Sequence, residues 1–295
     1  MRLRFILIPF LSIIVLGMFS SCSKSSGGGY GSTTPPATVP PATTPGPAFQ
    51  LKTDSHFGSI LADGNGNTLY FFSLDADGKS ACTTAGGCLA VWPVSYNAGT
   101  TFGAGLTASD FSSITRSDGS KQSTYKGWPL YTYAGDTAPG TVNGDGFQGV
   151  WFVAKPDYTV MLSVAQLVGL DGVKYDSTLK AGTGATLYMT DDHGVTLYSL
   201  AIDKSGKNNY TLSDFSNDAV WPIVQISSVQ NVPSVLDKSA FSSITVFTKP
   251  QLTYKGWPVY KFGGDANTRG NTKGVSVTTP APWPVMDQAT QSAPL

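Results

Sequence analysis

The chain has 295 residues, which is room for about two domains, and its composition favours strands and tight turns. All 19 acidic residues are Asp, and 33 Gly and 19 Pro accompany them. Glu favours helices, whereas Asp, Gly and Pro favour turns, so we expect an all-β fold with few short helices. The formal net charge of zero gives no electrostatic basis for binding nucleic acid, which we exclude as a partner.

Residues 1–21 resemble the signal peptide of a bacterial lipoprotein. Arg2 and Arg4 precede an apolar run over residues 5–19, which ends in small residues at Cys22. The run is too short to span a membrane comfortably, and this order of segments is typical of a cleaved leader. The resemblance implies that Cys22 carries the lipid and anchors the mature protein in the membrane. The alternative is plain secretion, with Cys22 as an unpaired thiol.

Residues 22–50 are predicted to form a disordered stalk. Gly, Ser, Thr, Pro and Ala make up nearly all of residues 25–47. Such a segment cannot collapse into a core, and its Pro-rich part is extended and semi-rigid. Ser23 directly follows the lipidation candidate, in place of the Asp that resembles an inner-membrane retention signal. We therefore expect an outer-membrane lipoprotein that faces the periplasm or the cell surface.

Residues 51–157 are predicted to form a first module of short strands. Residues 59–61 lead through a Gly- and Asn-rich turn into Thr68-Leu-Tyr, which predicts a hairpin. Tyr70 and Phe72 then lie on one face of a strand, and Asp75 follows where turn residues end that strand. A closing strand is predicted over residues 149–154.

Three short segments are the helical candidates of the chain. Residues 109–114 lie in the first module, residues 239–244 occupy the same place in the second, and residues 163–168 lie between the two. Each is too short for more than two turns, so the expected fold stays β-dominated.

The second half of the chain repeats the first. Residues 253–265 are identical to residues 124–136 at nine of thirteen positions, and Phe-Ser-Ser-Ile-Thr precedes both copies. A duplication this close indicates that one folding unit was copied in tandem. We place the second module at residues 185–287, with a tail at residues 288–295. Residues 158–184 connect the modules or form part of the second.

A pattern Tyr-x-aromatic-x-x-Asp occurs in both modules and is interpreted as mainly structural. The Tyr suits core packing with its hydroxyl bonded at the rim, and the Asp suits an Asx-turn cap that fixes the strand exit. One copy has lost the aromatic residue. The motif residues are Tyr70, Phe72, Asp75, Tyr131, Tyr133, Asp136, Tyr198, Asp203, Tyr260, Phe262 and Asp265.

These motifs resemble a family of bacterial secreted repeats and predicted lipoproteins of unknown function. The resemblance covers residues 51–286, and its most specific parts are Thr-Leu-Tyr, the segment from Cys to Trp-Pro, and the run Tyr-x-Gly-x-Pro-Leu-Tyr-x-Tyr-x-Gly-Asp. It implies a tandem module in the cell envelope. It implies no established activity.

Cys82 and Cys88 are the cysteines of the mature modules. In an oxidising compartment they most simply form a disulfide that closes a small loop. The second module has Tyr210 and Asn217 at these places, so the fold does not require the bridge. The alternative is a redox or metal-handling pair, because cysteines in a short loop can bind soft metals or exchange disulfides.

Other metal candidates are weak. Asp191, Asp192 and His193 can contribute to a metal site or form a polar hairpin tip. Residues 63–67 and 75–77 place oxygen ligands at alternate positions, but they lack the distal Glu of a calcium loop. We expect no resident metal or cofactor.

The sequence predicts a protein that is not an enzyme. It contains no Gly-x-Ser-x-Gly elbow, phosphate-binding loop or dinucleotide fingerprint. We expect a binding or structural role instead, with a glycan, a peptide or an envelope protein as ligand. An exposed Trp and Tyr beside Lys suit such contacts. The alternative is that Trp128 and Trp257 are buried core residues. The candidate binding residues are Tyr125, Lys126, Trp128, Tyr254, Lys255 and Trp257.

Overall fold

The computed structural model describes residues 46–295, and these form one compact unit. The predicted signal peptide, the lipidation candidate Cys22 and most of the predicted stalk lie outside the described residues. Within the described part of the chain, no helix is both long enough and apolar enough to cross a membrane.

The first module consists of short antiparallel strands. Turn residues reverse the chain after each apolar run, so neighbouring strands pair as hairpins, β1 with β2 and β4 with β5. The strands β3 and β7 are far apart in the chain but pair antiparallel, with Phe71 opposite Phe152. The strands are β1 Phe49–Asp54, β2 Gly58–Asp63, β3 Tyr70–Phe72, β4 Phe111–Thr115, β5 Lys121–Tyr125, β6 Trp128–Pro129 and β7 Trp151–Val153.

The second module repeats this plan. Strand β8 pairs with β10 as β1 pairs with β2, and β11 pairs with β12 as β4 pairs with β5. Strand β9 is an addition that pairs with the end of β8. The strands are β8 Met161–Val168, β9 Lys174–Tyr175, β10 Ala185–Thr190, β11 Phe241–Val246, β12 Lys249–Tyr254 and β13 Trp257–Pro258. The predicted all-β fold of two tandem modules is confirmed.

Helices are few and short. The α-helix α1 spans Cys88–Val91, a single turn. The 3-10 helices are Ala85–Gly87, Ala108–Asp110, Phe147–Gly149, Lys238–Ala240, Gly263–Asp265 and Lys273–Ser276.

The three helical candidates were wrong, because each segment is mainly a strand. Residues 111–115, 241–246 and 161–168 form β4, β11 and β8. The Ser-rich segments fold as strands since each finds a hairpin partner that supplies its main-chain hydrogen bonds. Only the single turns before β4 and β11 are helical.

Two predicted boundaries also move. Ala48 and Phe49 are buried, so the folded part begins before residue 51 and includes the end of the predicted stalk. Residues 161–166 of the connecting segment pair with β10, which makes this segment part of the second module. The modules share apolar packing, because Phe152 of the first lies in one cluster with Val160 and Met286.

Candidate functional site

Each module contains a reciprocal pair of Tyr–Asp hydrogen bonds. In the first module, the Tyr70 hydroxyl donates to Asp136 Oδ2 at 2.6 Å, and the Tyr131 hydroxyl donates to Asp75 Oδ2 at 2.8 Å. The tyrosine of each motif therefore bonds the aspartate of the other motif. The two tyrosines also exchange main-chain hydrogen bonds of 2.8 and 3.1 Å, which hold their strands antiparallel.

The second module has the same pair. The Tyr198 hydroxyl donates to Asp265 Oδ2 at 2.7 Å, and the Tyr260 hydroxyl donates to Asp203 Oδ2 at 2.7 Å. The two tyrosines again exchange main-chain hydrogen bonds, both of 2.9 Å. All four tyrosines are buried. The loss of the aromatic residue at Leu200 leaves this geometry intact.

The second oxygen of each carboxylate closes the loop that follows its strand. Asp75 Oδ1 accepts from the main-chain N–H six residues later. The corresponding span is seven residues for Asp136, six for Asp203 and eight for Asp265. These loops are longer than the Asx turn that the sequence predicted. The donors are the main-chain N–H groups of Ala81, Asn143, Asn209 and Lys273. Each Asp thus fixes one loop and one tyrosine.

Burial raises the pKa of the Asp75 and Asp203 carboxyls. Desolvation raises the pKa of Asp75 to about 7, although the Ala81 N–H, the Tyr131 hydroxyl and two nearby arginines favour the carboxylate. Desolvation likewise raises the pKa of Asp203 to about 6. Shifted pKa values occur at active sites and also in structural networks. Both carboxyls are shielded from solvent, and each bonds a tyrosine, so their position suits the structural role.

A tryptophan pair lies at the centre of each module. The rings of Trp92 and Trp151 stack at 3.9 Å, and Tyr70 packs edge-on against Trp92. In the second module, Trp221 and Trp283 stack at 3.7 Å. Stacked and edge-on aromatic pairs add to the stability that burial alone provides. Each module is therefore two similar halves joined by one tryptophan stack and two Tyr–Asp bonds.

Two glycines that the sequence did not single out make this packing possible. A Cβ on Gly144 would lie 2.7 Å from the Trp92 ring, and a Cβ on Gly274 would lie 2.7 Å from the Trp221 ring. The main-chain N–H of Gly144 also donates to the Tyr70 hydroxyl, and that of Gly274 to the Tyr198 hydroxyl, both at 3.3 Å. Their only signal in the sequence is a glycine at a similar place after each motif.

The loop 125–129 lies at the boundary between the modules. Trp128 is only 1% exposed, and its indole N–H donates to the Asp192 carbonyl at 3.0 Å. The Arg269 guanidinium lies 4.4 Å from the centre of the same ring, a cation–π contact. Lys126 Nζ bonds Asp192 Oδ2 at 2.7 Å. Burial raises the pKa of Asp192, but this bond and the charge of Lys126, together with a hydrogen bond to His193, lower the pKa overall.

The loop 254–258 of the second module has a different neighbour. The Trp257 indole N–H donates to the Gln291 carbonyl at 2.8 Å. Lys255 Nζ donates to the carbonyls of Gln288 and Thr290 at 3.0 and 2.8 Å. The predicted tail, residues 288–295, thus runs along this loop. The equivalent loop 125–129 instead contacts the second module.

These positions correct the expectation of exposed aromatic rings in the two loops. Tyr125, Trp128 and Tyr254 are buried, and Trp257 is half-buried. The rings pack inward because each loop meets a neighbouring segment that covers it. The lysines are partly exposed, and Lys126 lines an open cleft.

A cleft of about 750 Å³ lies between the modules. The first module contributes Lys126, and the hairpin tip of the second contributes Asp191 and Asp192. Lys261, which the sequence did not single out, also lines the cleft and bonds Asp191 at 2.5 Å. The arrangement places two ion pairs beside polar side chains, which suits contact with a polar ligand.

The metal candidates take part in other contacts. The ligand atoms of Asp191, Asp192 and His193 lie within 4.8 Å of one another, but both carboxylates already bond lysines. A divalent cation would have to displace these ion pairs. Asp63 Oδ1 accepts the main-chain N–H groups of Asn65 and Asn67, which is a polar turn.

Cys82 and Cys88 form a disulfide, as the sequence predicted. The sulfurs bond each other, so in this state neither is free to ligate a soft metal. The Cys82 carbonyl accepts from the buried Arg116 guanidinium at 2.6 Å, and this guanidinium also donates to Gln122 Oε1. The bridge therefore holds the loop that receives this arginine.

The family model of a secreted repeat of unknown function matches residues 53–95 and 112–155. The match confirms the resemblance seen in the motifs. No curated protein and no solved structure matches the chain at a significant level.

The two matched segments divide the first module into its two halves. Tyr70 and Asp75 lie in the first segment, and Tyr131 and Asp136 lie in the second. The reciprocal Tyr–Asp bonds therefore join one repeat to the other. Each matched segment is thus half of the first module, and the two halves share the aromatic cluster around Trp92 and Trp151.

Proposed function

We propose that this chain, which carries two copies of that secreted repeat in its first module, is a lipid-anchored cell-envelope protein with a non-enzymatic binding or structural role. The observation that carries the proposal is the reciprocal Tyr–Asp bonding. The tyrosines and aspartates of the shared motif are committed to hydrogen bonds between the two halves of each module. They build the scaffold, and they do not converge on the cleft.

The cleft between the modules supports a binding role. It combines cationic and anionic groups, Lys126, Lys261, Asp191 and Asp192, with the polar side chains of Ser228 and other residues. Partly buried polar groups that remain reachable from a cleft can orient a ligand by hydrogen bonds. We assign the cleft to a polar ligand, a glycan or a peptide.

The binding role is tested with the mature chain on arrays of envelope glycans and peptides. The matched variants are Lys261→Gln, within the cleft, and Lys121→Gln, an exposed lysine on β5 outside it. We expect a captured ligand to bind about tenfold more weakly to Lys261→Gln, the loss of one charged hydrogen bond, and normally to Lys121→Gln. Equal binding to both variants would place the ligand elsewhere.

The non-enzymatic role is tested with the same ligand. After incubation with the wild-type chain, mass spectrometry should recover it unchanged. Release of a product that is lost in Asp191→Asn would show that the cleft is catalytic.

The lipid anchor is tested by Cys22→Ser. We expect a clickable fatty acid to label the wild-type protein in bacterial cells and to leave this variant unlabelled. The labelled form should fractionate with the outer membrane, because one lipidated cysteine residue holds the stalk to it. An unlabelled wild-type protein would contradict the anchor.

A further inference from the structure

The two copies of one loop bind two different segments. The loop 125–129 meets the hairpin tip at Asp192, and the loop 254–258 meets residues 288–294. The loops are identical over Tyr-Lys-Gly-Trp-Pro, whereas their neighbours share no sequence. One loop sequence thus accepts unrelated segments.

The contacts explain this tolerance, because both loops bind the main chain. Each indole N–H donates to a carbonyl, of Asp192 in one case and of Gln291 in the other. The lysine contacts differ, because Lys126 Nζ bonds the Asp192 carboxylate of the hairpin tip at 2.7 Å, whereas Lys255 Nζ donates to two carbonyls of residues 288–294. Every peptide offers carbonyls, so the tryptophan contact of both loops, and the lysine contact of the second loop, depend little on the side chains of the neighbouring segment.

The loop conformation is the same with either neighbour. Lys126 and Lys255 both have φ of 48°, and the glycine that follows has φ of 79° or 85°. A non-glycine residue adopts this left-handed region at some cost, so the surrounding strands hold it there. A loop that keeps one shape with two neighbours is preorganised, which favours binding.

Residues 288–294 cover the second loop through hydrogen bonds and bury little apolar surface. Ala293 is the buried residue of this segment, and its N–H donates to the Lys255 carbonyl at 2.9 Å. A cavity of about 370 Å³ lies between Trp257 and the segment, bordered by Thr290 and Gln291. Segments with little buried apolar surface open at low free-energy cost.

We propose that the loop 254–258 is a peptide-binding site, closed in this structure by residues 288–294, and that an extended segment of another protein replaces them. Its ligand presents carbonyls to Trp257 and Lys255 and a small residue at the place of Ala293. The cavity beside Trp257 accommodates larger side chains earlier in the ligand. This site is separate from the cleft between the modules, and it does not depend on the function assigned there.

The test uses the mature chain ended after Asp287 and a fluorescent synthetic peptide with the sequence of residues 287–295. We expect saturable binding by fluorescence anisotropy, and at least tenfold weaker binding to the full chain, because its own segment competes. Trp257→Phe in the shortened chain should weaken binding about fivefold, the loss of one hydrogen bond.

Matched peptides test the main-chain recognition. N-methylation at Ala293 removes the donor to Lys255 and should abolish binding. N-methylation at Ala289, whose N–H makes no main-chain hydrogen bond, should leave it unchanged. Replacement of the Gln291 side chain by Ala should also leave it unchanged, because the tryptophan bonds the Gln291 carbonyl and the Gln291 side-chain amide bonds Ala289 within the segment itself.

If the shortened chain does not fold, the test uses the full chain with Ala293→Pro instead. Proline lacks the main-chain N–H that Ala293 donates to the Lys255 carbonyl. Absence of peptide binding to a folded chain of either kind overturns the proposal, and so does binding that Trp257→Phe leaves unchanged. Lys261→Gln should not alter peptide binding, which separates this site from the cleft.

Discussion

The two modules share an inner frame and differ in what surrounds it. Both contain two Tyr–Asp bonds and one tryptophan stack with nearly the same geometry. The polar groups beside the frame differ. In the first module Arg116 bonds Gln122 and the disulfide loop, and in the second Asn208 bonds Gln251. The duplication thus kept the bonds that join repeats, while neighbouring groups changed.

The outer contacts differ in the same way. Trp128 of the first loop is buried against the second module, and Trp257 of the second loop is half-covered by residues 288–294. Shared sequence therefore marks shared core bonds, and it does not mark equal exposure. The following predictions test how far the two modules are equivalent.

The largest effect is expected for the tryptophan stacks. Trp151→Ala and Trp283→Ala should each lower the free energy of unfolding by about 3–5 kcal/mol, because each removes a buried ring from the same packing. Urea unfolding measures both losses. The exposed Tyr96→Ala serves as the control with little effect. A difference above about 2 kcal/mol between the two tryptophan variants would show that the frames are not equivalent.

The buried carboxyls predict a pH effect. The folded state raises the pKa of Asp75 to about 7 and of Asp203 to about 6, so it binds protons more tightly than the unfolded state. This contribution is complete below about pH 4 and is lost as the pH rises through these values. Stability should fall by about 2–4 kcal/mol from pH 5 to pH 8.

Two matched variants show whether the buried carboxyls cause the pH dependence of stability. Asp75→Asn should remove the larger part of the slope, since Asp75 has the higher pKa. Asp214→Asn, at an exposed carboxyl whose pKa is lowered by hydrogen bonds from Ser216, should leave the slope between pH 5 and pH 8 unchanged. Stability that rises from pH 5 to pH 8 would contradict the assignment.

Loss of the disulfide should affect the first module by a smaller amount. Cys82→Ser with Cys88→Ser should lower the free energy of unfolding by about 2 kcal/mol, because the bridge closes a short loop. Chemical reduction of the wild-type chain should reproduce this loss in urea unfolding. If reduction leaves the urea midpoint unchanged, the loop and its contact with Arg116 do not depend on the bridge.

The smallest expected losses of stability are those of the two loop tryptophans, and they should differ between the loops. Trp128→Phe should cost about 1–2 kcal/mol, because it leaves the Asp192 carbonyl without its donor and weakens the contact with Arg269. Trp257→Phe should cost about 0.5 kcal/mol, since water can replace the lost hydrogen bond at a half-exposed loop. Equal losses would show that residues 288–294 cover their loop as tightly as the hairpin tip covers the other.

Hairpins and module order could be predicted from the sequence, because turn residues and alternating side chains are local signals. The strands at Phe111–Thr115 and Phe241–Val246 could not, since Phe-Ser-Ser-Ile-Thr suits a short helix as well. Their hairpin partners decide the outcome. The structural role of the tyrosines was predictable from their place on strands, but the partner of each hydroxyl was not.

The sequence by itself determined the tandem repeat, the β-rich composition and the proximity of the two cysteines, because these depend on nearby residues or on comparing the copies. Only the tertiary structure decided that Tyr70 bonds Asp136 and Tyr131 bonds Asp75, because these partners lie more than fifty residues apart. It also decided that Trp128 is buried and Trp257 half-buried, because identical loops take their exposure from the segments that pack against them.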